Sequence, residues 1–313
     1  MHPAFSVIFL TTLIGAGQGL FLALYTAQSY AVLGLLPAQD SRFYVWGSAI
    51  VFVLLIGGLV ASFFHLGRPE RAWRAVAQWR TSWLSREVIA LPLFMVLVFV
   101  YGAGGLLAHG YGTSVLGALA FFACIALWIC TAMIYTCIRF IREWASPYTM
   151  ANFVLLSLAS GTTLAMALAA YSDWQMVNLL AVLSLVFTLG AAVVRWLSLN
   201  RNARLKPVST LQSAIGFDNP RITQRSMGAT GGSFNTREFF HGKTLTFLRS
   251  IRWTFIALTF ELPLLVVLVA LAGDASGLML LAVPLQSTGL VLERWFFFAQ
   301  ANHAQNLYYQ VVS

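Results

Sequence analysis

The chain has 313 residues, of which 59% are hydrophobic and only 9% charged, and its formal net charge is +9 at pH 7. Ordinary soluble domains carry about 25% charged residues, so a soluble chain of this length would lack the polar residues to cover its exterior. Runs of about 20 apolar residues, enough to cross the hydrocarbon core as helices, recur along the chain; they do not alternate apolar and polar residues as barrel strands would. The expected class is all-α, a polytopic membrane protein with eight transmembrane helices in a single integral membrane domain over residues 1–313.

The first span is expected at 5–32. Thr11, Thr12, Gly15, Gly17, Gln18 and Gly19 give it a small, polar stripe that is unusual for a lipid-facing helix. Gly15 and Gly19 have the spacing that lets helices approach closely, so packing is the expected role and a cavity lining the alternative. No Lys or Arg precedes this span, and its run is too long for the apolar centre of a signal peptide, so no cleavable targeting segment is expected.

The second span, 45–65, ends at His65, and the third, 86–108, opens with Arg86-Glu87. Between them lies Leu66-Gly67-Arg68-Pro69-Glu70-Arg71-Ala72-Trp73-Arg74. This places an imidazole and a carboxylate at the ends of successive spans, on one rim and among arginines. Reduction of a quinone takes two protons with two electrons, so its head group needs titratable neighbours. Histidine titrates near neutral pH, and a carboxylate in a half-apolar site can have its pKa raised into the useful range. Alternatively His65 caps or snorkels at its helix end, and Glu87 is a first-turn acid complementing the helix dipole, held ionised by Arg68 and Arg86. Tyr135 approaches the same rim from the fourth span, 114–138. That span also carries Cys124, Cys130 and Cys137, which excludes a disulfide framework and matches no metal-ligand spacing.

Spans five and six are expected at 150–171 and 176–197. The segment 198–250 is punctuated by Gly and Pro without an apolar period, so it reads as a loop. A stretch this long is functional or disordered. Aromatic residues and Arg are enriched at protein interfaces, so Phe234, Arg237, Phe239 and Phe240 favour a partner-docking loop, with a solvated linker along anionic lipid heads as the alternative. Gly242-Lys243-Thr244 lacks the glycine and the preceding strand of a phosphate loop, so it is not a nucleotide site. Spans seven and eight, 251–272 and 277–300, carry Glu261 beside Pro263 and then Glu293-Arg294. These charges lie roughly 10–12 Å below one face at the helical rise. Intramembrane charges are normally paired, and Glu261 with Arg294 is the expected pair, a structural clasp first and a proton path as the alternative.

With eight spans, both termini share a face with the loops after spans two, four and six. That face receives every one of the 19 Lys and Arg residues except Arg42. Basic loops stay cytoplasmic, so both termini and the loop at 198–250 are expected inside.

A haem needs two axial ligands at matching depth on facing helices. His2, His65, His109, His241 and His303 offer no such pair, and three cysteines on one helix cannot hold an iron–sulfur cluster. No bound metal or haem is therefore expected, and electron transfer requires a partner subunit.

His65-Leu66-Gly67-x-Pro69-x-Arg71-Ala72, followed by Leu84-Ser85-x-Glu87, resembles the dimethyl sulfoxide reductase anchor subunit family. The stretch Met227-Gly228-Ala229-Thr230-Gly231-Gly232-Ser233-Phe234-Asn235-Thr236-Arg237-Glu238-Phe239-Phe240-His241-Gly242 resembles members of it too. The resemblance covers essentially the whole chain. It implies an inner-membrane anchor for a molybdopterin catalytic subunit and an iron–sulfur electron-transfer subunit, exchanging electrons with ubiquinone or menaquinone. Molybdopterin and the clusters would sit in the partners. The family's quinone-site histidine and glutamate carry over onto His65 and Glu87; Arg68, Arg86 and Tyr135 join them on position alone. Members serve sulfite dehydrogenases or sulfoxide reductases, and catalytic partners on the cytoplasmic face favour sulfite oxidation. Lipid and protein partners are expected, and no nucleic acid. A secondary transporter, the rival class, would need discontinuous helices and an internal repeat; only Glu261-Leu262-Pro263 hints at a break. A purely structural anchor would make His65 and Glu87 dispensable.

The asymmetry of basic residues predicts that a reporter enzyme active only in the periplasm stays silent when fused after Ser313. Strong activity would reverse the orientation.

Overall fold

In hydrocarbon the backbone finds no water to bond, so spanning segments close their hydrogen bonds within helices. In a computed structural model that describes residues 5–37, 39–107, 111–171, 176–206, 209–223 and 243–301, eight helices are long and apolar enough to cross a membrane, and no strand occurs among the described residues. They are α1 (Phe5–Val32), α2 (Ser41–Phe63), α3 (Trp83–Leu107), α4 (Tyr111–Thr136), α5 (Pro147–Tyr171), α6 (Val177–Ala203), a seventh span made of α8 (Leu245–Ile256) and α9 (Leu262–Ala272), and an eighth ending in α10 (Ala282–Ala299). The short α7 (Leu211–Ile215) lies between α6 and α8. The docking residues Phe234, Arg237, Phe239 and Phe240 lie outside the described residues.

The largest departures from the expected ends are at α6, which continues past 197 to Ala203, and at α8, which begins at Leu245 rather than 251. Both extensions carry arginines, Arg201 in one and Arg249 in the other. Apolarity reports only the hydrocarbon part of a helix, whereas the hydrogen-bonded ladder runs on into the headgroup layer.

The helices α1 and α5 are the most enclosed, and their small residues explain why. A Cβ on Gly19 would collide with the Ser157 carbonyl oxygen, and one on Gly161 with the Gly19 backbone. Packing is thus the role of this part of the α1 stripe; Gln18 also joins it, its Nε2 donating to the Cys124 carbonyl at 3.1 Å.

The seventh span is continuous but contains a π turn, Ala257–Glu261, directly before Pro263. Proline has no N–H and its ring clashes with the carbonyl four residues back, so the Thr259 carbonyl loses its helical partner. Gln286 Nε2 of α10 donates to that carbonyl instead, at 3.3 Å. The approach is possible because residue 289 is glycine: a Cβ there would strike the Thr259 backbone nitrogen. Pro263 therefore gives a local π turn stitched to a neighbour, and the helix does not break.

Overpacking typically costs about 1–3 kcal/mol. Gly161→Ala and Gly289→Ala should each lower the midpoint of thermal unfolding in detergent, whereas Gly105→Ala, where a Cβ meets Val45 Cγ2 at an ordinary 3.4 Å, should leave it unchanged. Equal midpoints for all three would refute the close-approach account.

Candidate functional site

Between α2 and α3 the chain forms a 3-10 segment, Pro69–Gln78, with Pro69 in its first turn and no buried residue. Arg68 is its N-cap. Trp73, Trp79, Phe64 and Leu66 are exposed around it. Arginines sit on the indoles, with the Arg74 guanidinium 5.6 Å from the Trp73 ring centre and that of Arg80 5.3 Å from Trp79. Arg86 closes the segment from the start of α3: its Nε donates to the Trp79 carbonyl at 2.9 Å and its Nη2 to the Arg80 carbonyl at 2.8 Å. Its guanidinium lies 4.2 Å from the Trp83 ring centre.

His65 stands exposed just beyond the end of α2. Partial burial of its ring pushes the imidazole below the usual histidine range, so it is neutral at pH 7 and can accept a proton. Glu87 turns the other way. It is 8% exposed, and the Thr131 hydroxyl of α4 donates to its carboxylate. Among the described residues Glu87 has no ion pair. Arg86 is occupied by loop carbonyls, and Arg68 is exposed on the strap. The structure thus puts His65 and Glu87 on one rim, with no hydrogen bond or ion pair between them. Tyr135, half-buried, belongs to an aromatic cluster: it stacks on Phe153 at 5.6 Å and meets Trp144, Phe297 and Phe298 edge-on.

The deeper charges differ from expectation. Glu261 is exposed on the lipid side, and Arg294 does not pair with it. Glu293 takes the central place instead, with Arg195 Nε 2.8 Å from Oε1 and Arg294 Nε 2.9 Å from Oε2. Arg195, which the sequence assigns to the basic face, is a buried residue of α6. Its guanidinium lies 5.6 Å from the Phe255 ring centre, and that of Arg294 4.3 Å from Phe153. The physical reason is angular. Equal depth does not bring two helix residues together unless both face inward, since each residue turns the helix by about 100°. Glu261 closes the π turn and points out of the bundle, whereas Arg294 is buried within it. A usable signal is present in the sequence: Arg195, Arg252 and Glu293 each have a polar partner seven residues away, in Thr188, Thr259 and Gln286.

Among the described residues no group of three His, Cys, Asp or Glu is placed to hold a metal ion. Cys124 and Cys130 are buried and free, and Cys137 is exposed.

Comparison with known proteins adds two kinds of similarity. Residues 1–299 match the DMSO reductase anchor subunit (DmsC) family. The whole chain is 50% identical to a sulfite dehydrogenase subunit of Allochromatium vinosum over 329 aligned positions, covering 100% of both proteins. It is 30% identical to anaerobic dimethyl sulfoxide reductase chain YnfH of Escherichia coli over 171 positions, 51% of this chain and 58% of that one.

Removing one member of a buried ion pair strands its partner and costs about 3–5 kcal/mol. Glu293→Gln should therefore sharply reduce the yield of folded protein in membranes, and Glu261→Gln should not, both read by fluorescence-detected size exclusion. A reversed order would return the clasp to Glu261.

Proposed function

The chain belongs to the DMSO reductase anchor subunit family and is a multi-pass protein of the inner membrane, and from that premise we propose that it exchanges electrons and protons between a partner iron–sulfur subunit and the quinone pool. The complex would also contain a molybdopterin catalytic subunit. The reading of its direction, quinone reduction coupled to sulfite oxidation, rests on the full-length 50% identity to a protein of a sulfite dehydrogenase. The sulfoxide reductase chain matches at lower identity and over about half of this chain. The distribution of basic residues supports cytoplasmic termini and partners on that same face.

A quinone takes up two electrons and two protons at its head-group oxygens. His65, neutral at pH 7, would face one oxygen and exchange protons with solvent at the rim. Glu87, away from any cation pair, would hold a proton near the other, with the Thr131 hydroxyl fixing its carboxylate. Arg86 would act at one remove, by pinning the strap that closes the rim. Exposed Phe63, Phe64 and Leu84 provide apolar surface where a hydrophobic tail could lie. The loop containing Phe234, Arg237, Phe239 and Phe240 would dock the partners.

General acid–base residues contribute about 10²–10⁴-fold. His65→Arg and Glu87→Gln should therefore lower sulfite-dependent reduction of a quinone analogue by roughly 10²-fold or more. Partner content and sulfite oxidation with a soluble artificial acceptor should stay normal. Normal quinone rates in both variants would remove the rim site. Quinol oxidation by dimethyl sulfoxide, without activity toward sulfite, would reverse the direction.

A further inference from the structure

On the α1 and α5 side of the ion cluster lies a cavity of about 20 Å³ whose polar wall is Thr11, Thr12, Ser157, Ser160 and Arg294 and whose remaining wall is apolar, with Phe153, Leu156 and Leu290. A buried water needs roughly 10–15 Å³ in this measure, so the space suffices. The chemistry of its walls selects the occupant. Each hydroxyl already donates its proton to its own helix: Thr11 to the Val7 carbonyl at 2.9 Å, Thr12 to that of Ile8 at 2.8 Å, Ser157 to that of Phe153 at 2.7 Å and Ser160 to that of Leu156 at 2.8 Å. The oxygens therefore offer only lone pairs inward. Arg294, 4% exposed, contributes the opposite character, because its Nη1 has no hydrogen-bond partner. An anion would suit Arg294 and be repelled by four oxygens; a cation would be repelled by Arg294. Water both accepts and donates, and satisfies both.

The same deficit continues along α6, the seventh span and α10. Arg195 Nη1 and Nη2 and Arg252 Nε have no hydrogen-bond partner. Seven residues deeper on each helix, about 10 Å by the helical rise, lie Thr188, Thr259 and Gln286. Gln286 Nε2 donates to Thr188 Oγ1 at 3.2 Å, but Gln286 Oε1 and Thr259 Oγ1 remain unpartnered. One turn further on α6, Ser184 is satisfied by Thr163 of α5 at 2.7 Å. Beyond that, this column is apolar, with Leu180, Val267, Ala270 and Met279 all buried. Unpaired polar groups in a water-free interior cost several kcal/mol each; along this column they start near the half-buried Arg252 at the arginine-rich face and stop at Gln286, and other unpaired groups, Ser48 Oγ and Tyr101 Oη among them, lie apart from it on α2 and α3.

We propose that this face admits a short chain of ordered waters that fills the cavity at Arg294, solvates the Arg195–Glu293–Arg294 cluster and ends at Gln286. Beyond Gln286, the column between α6, the seventh span and α10 stays dry. Such a blind inlet lets water and protons reach the buried charges from one side, with no onward polar group along this column. The inference is independent of the quinone reading.

The test is hydroxyl-radical footprinting by synchrotron radiolysis on the assembled complex in its native membrane, since radicals formed from bound water oxidise the side chains that touch it. Phe153 and Phe255, which underlie the two arginines, should be oxidised although both are buried. Phe94 and Met166, equally buried in the apolar core, should stay silent, Met166 in spite of methionine's greater reactivity. Thr12→Val, which removes an acceptor at nearly constant volume, should bring loss of the Phe153 signal. Silence at both Phe153 and Phe255 would overturn the proposal. Labelling of Phe153 alone would leave an isolated water and overturn the chain. Equal labelling of Met166 would show general water penetration and overturn the blind inlet.

Discussion

A carboxylate fixed between two guanidinium groups inside the hydrocarbon layer is the constraint on which the second half of this structure turns. Translocon insertion scales put an arginine or an aspartate at the centre of a spanning helix at about 2.5–3.5 kcal/mol each. Arg195, Glu293 and Arg294 can share that burden only if α6 and α10 hold one angular register and one relative depth. The N···O separations of 2.8 and 2.9 Å show that register achieved. The arginines also rest on Phe255 and Phe153, so the aromatic lining of α8 and α5 follows from the same requirement. Phe153 in turn stacks on Tyr135, which carries the constraint to α4 and the rim.

Close packing supplies what charge cannot. Lipid tails are as apolar as leucine side chains, so helices in a bilayer gain from approach and interhelical hydrogen bonds more than from burial. Glycines at 19 and 161 let α1 and α5 touch backbone to backbone, and Gly289 lets α10 reach the π turn. That turn is itself forced by Pro263. The carbonyl that proline frees becomes the acceptor for Gln286, so a local defect in one helix is used as an interhelical bond.

The spans are legible in the sequence because hydropathy is a one-dimensional property and eight long apolar runs have few other readings. The rim is legible for a similar reason: His65 and Glu87 adjoin in sequence the ends of consecutive helices, so topology alone brings them to one face. The missing coordinate is angular. Glu261 and Arg294 share a depth, which favours pairing them, but the helical phase points Glu261 to lipid. Arg195 reads as a residue of the basic rim because it falls at the end of an apolar run, yet that run continues as helix through Ala203. The seven-residue recurrence of polar residues on three spans holds the missing information, since positions seven apart share a helix face. For the α1 stripe the two readings apply to different turns: Thr11, Thr12 and Gly15 line a cavity, whereas Gly19 packs directly on α5.

The rim pair and the buried cluster lie in the same half of the bundle, toward the arginine-rich face, and the polar column of the cluster ends at the buried Leu180, Val267, Ala270 and Met279. This arrangement limits what the protein can do with a proton. A group at the rim exchanges with the solvent on its own side, and a polar column that stops at mid-membrane offers no onward site. If His65 and Glu87 serve a quinone as proposed and electrons also arrive from subunits on that face, their chemistry would take and return protons and electrons on one side and move little net charge across the bilayer. The energetic role of such an anchor would then lie in coupling a soluble redox reaction to the lipid-soluble pool, with any charge separation left to other enzymes that use the same pool.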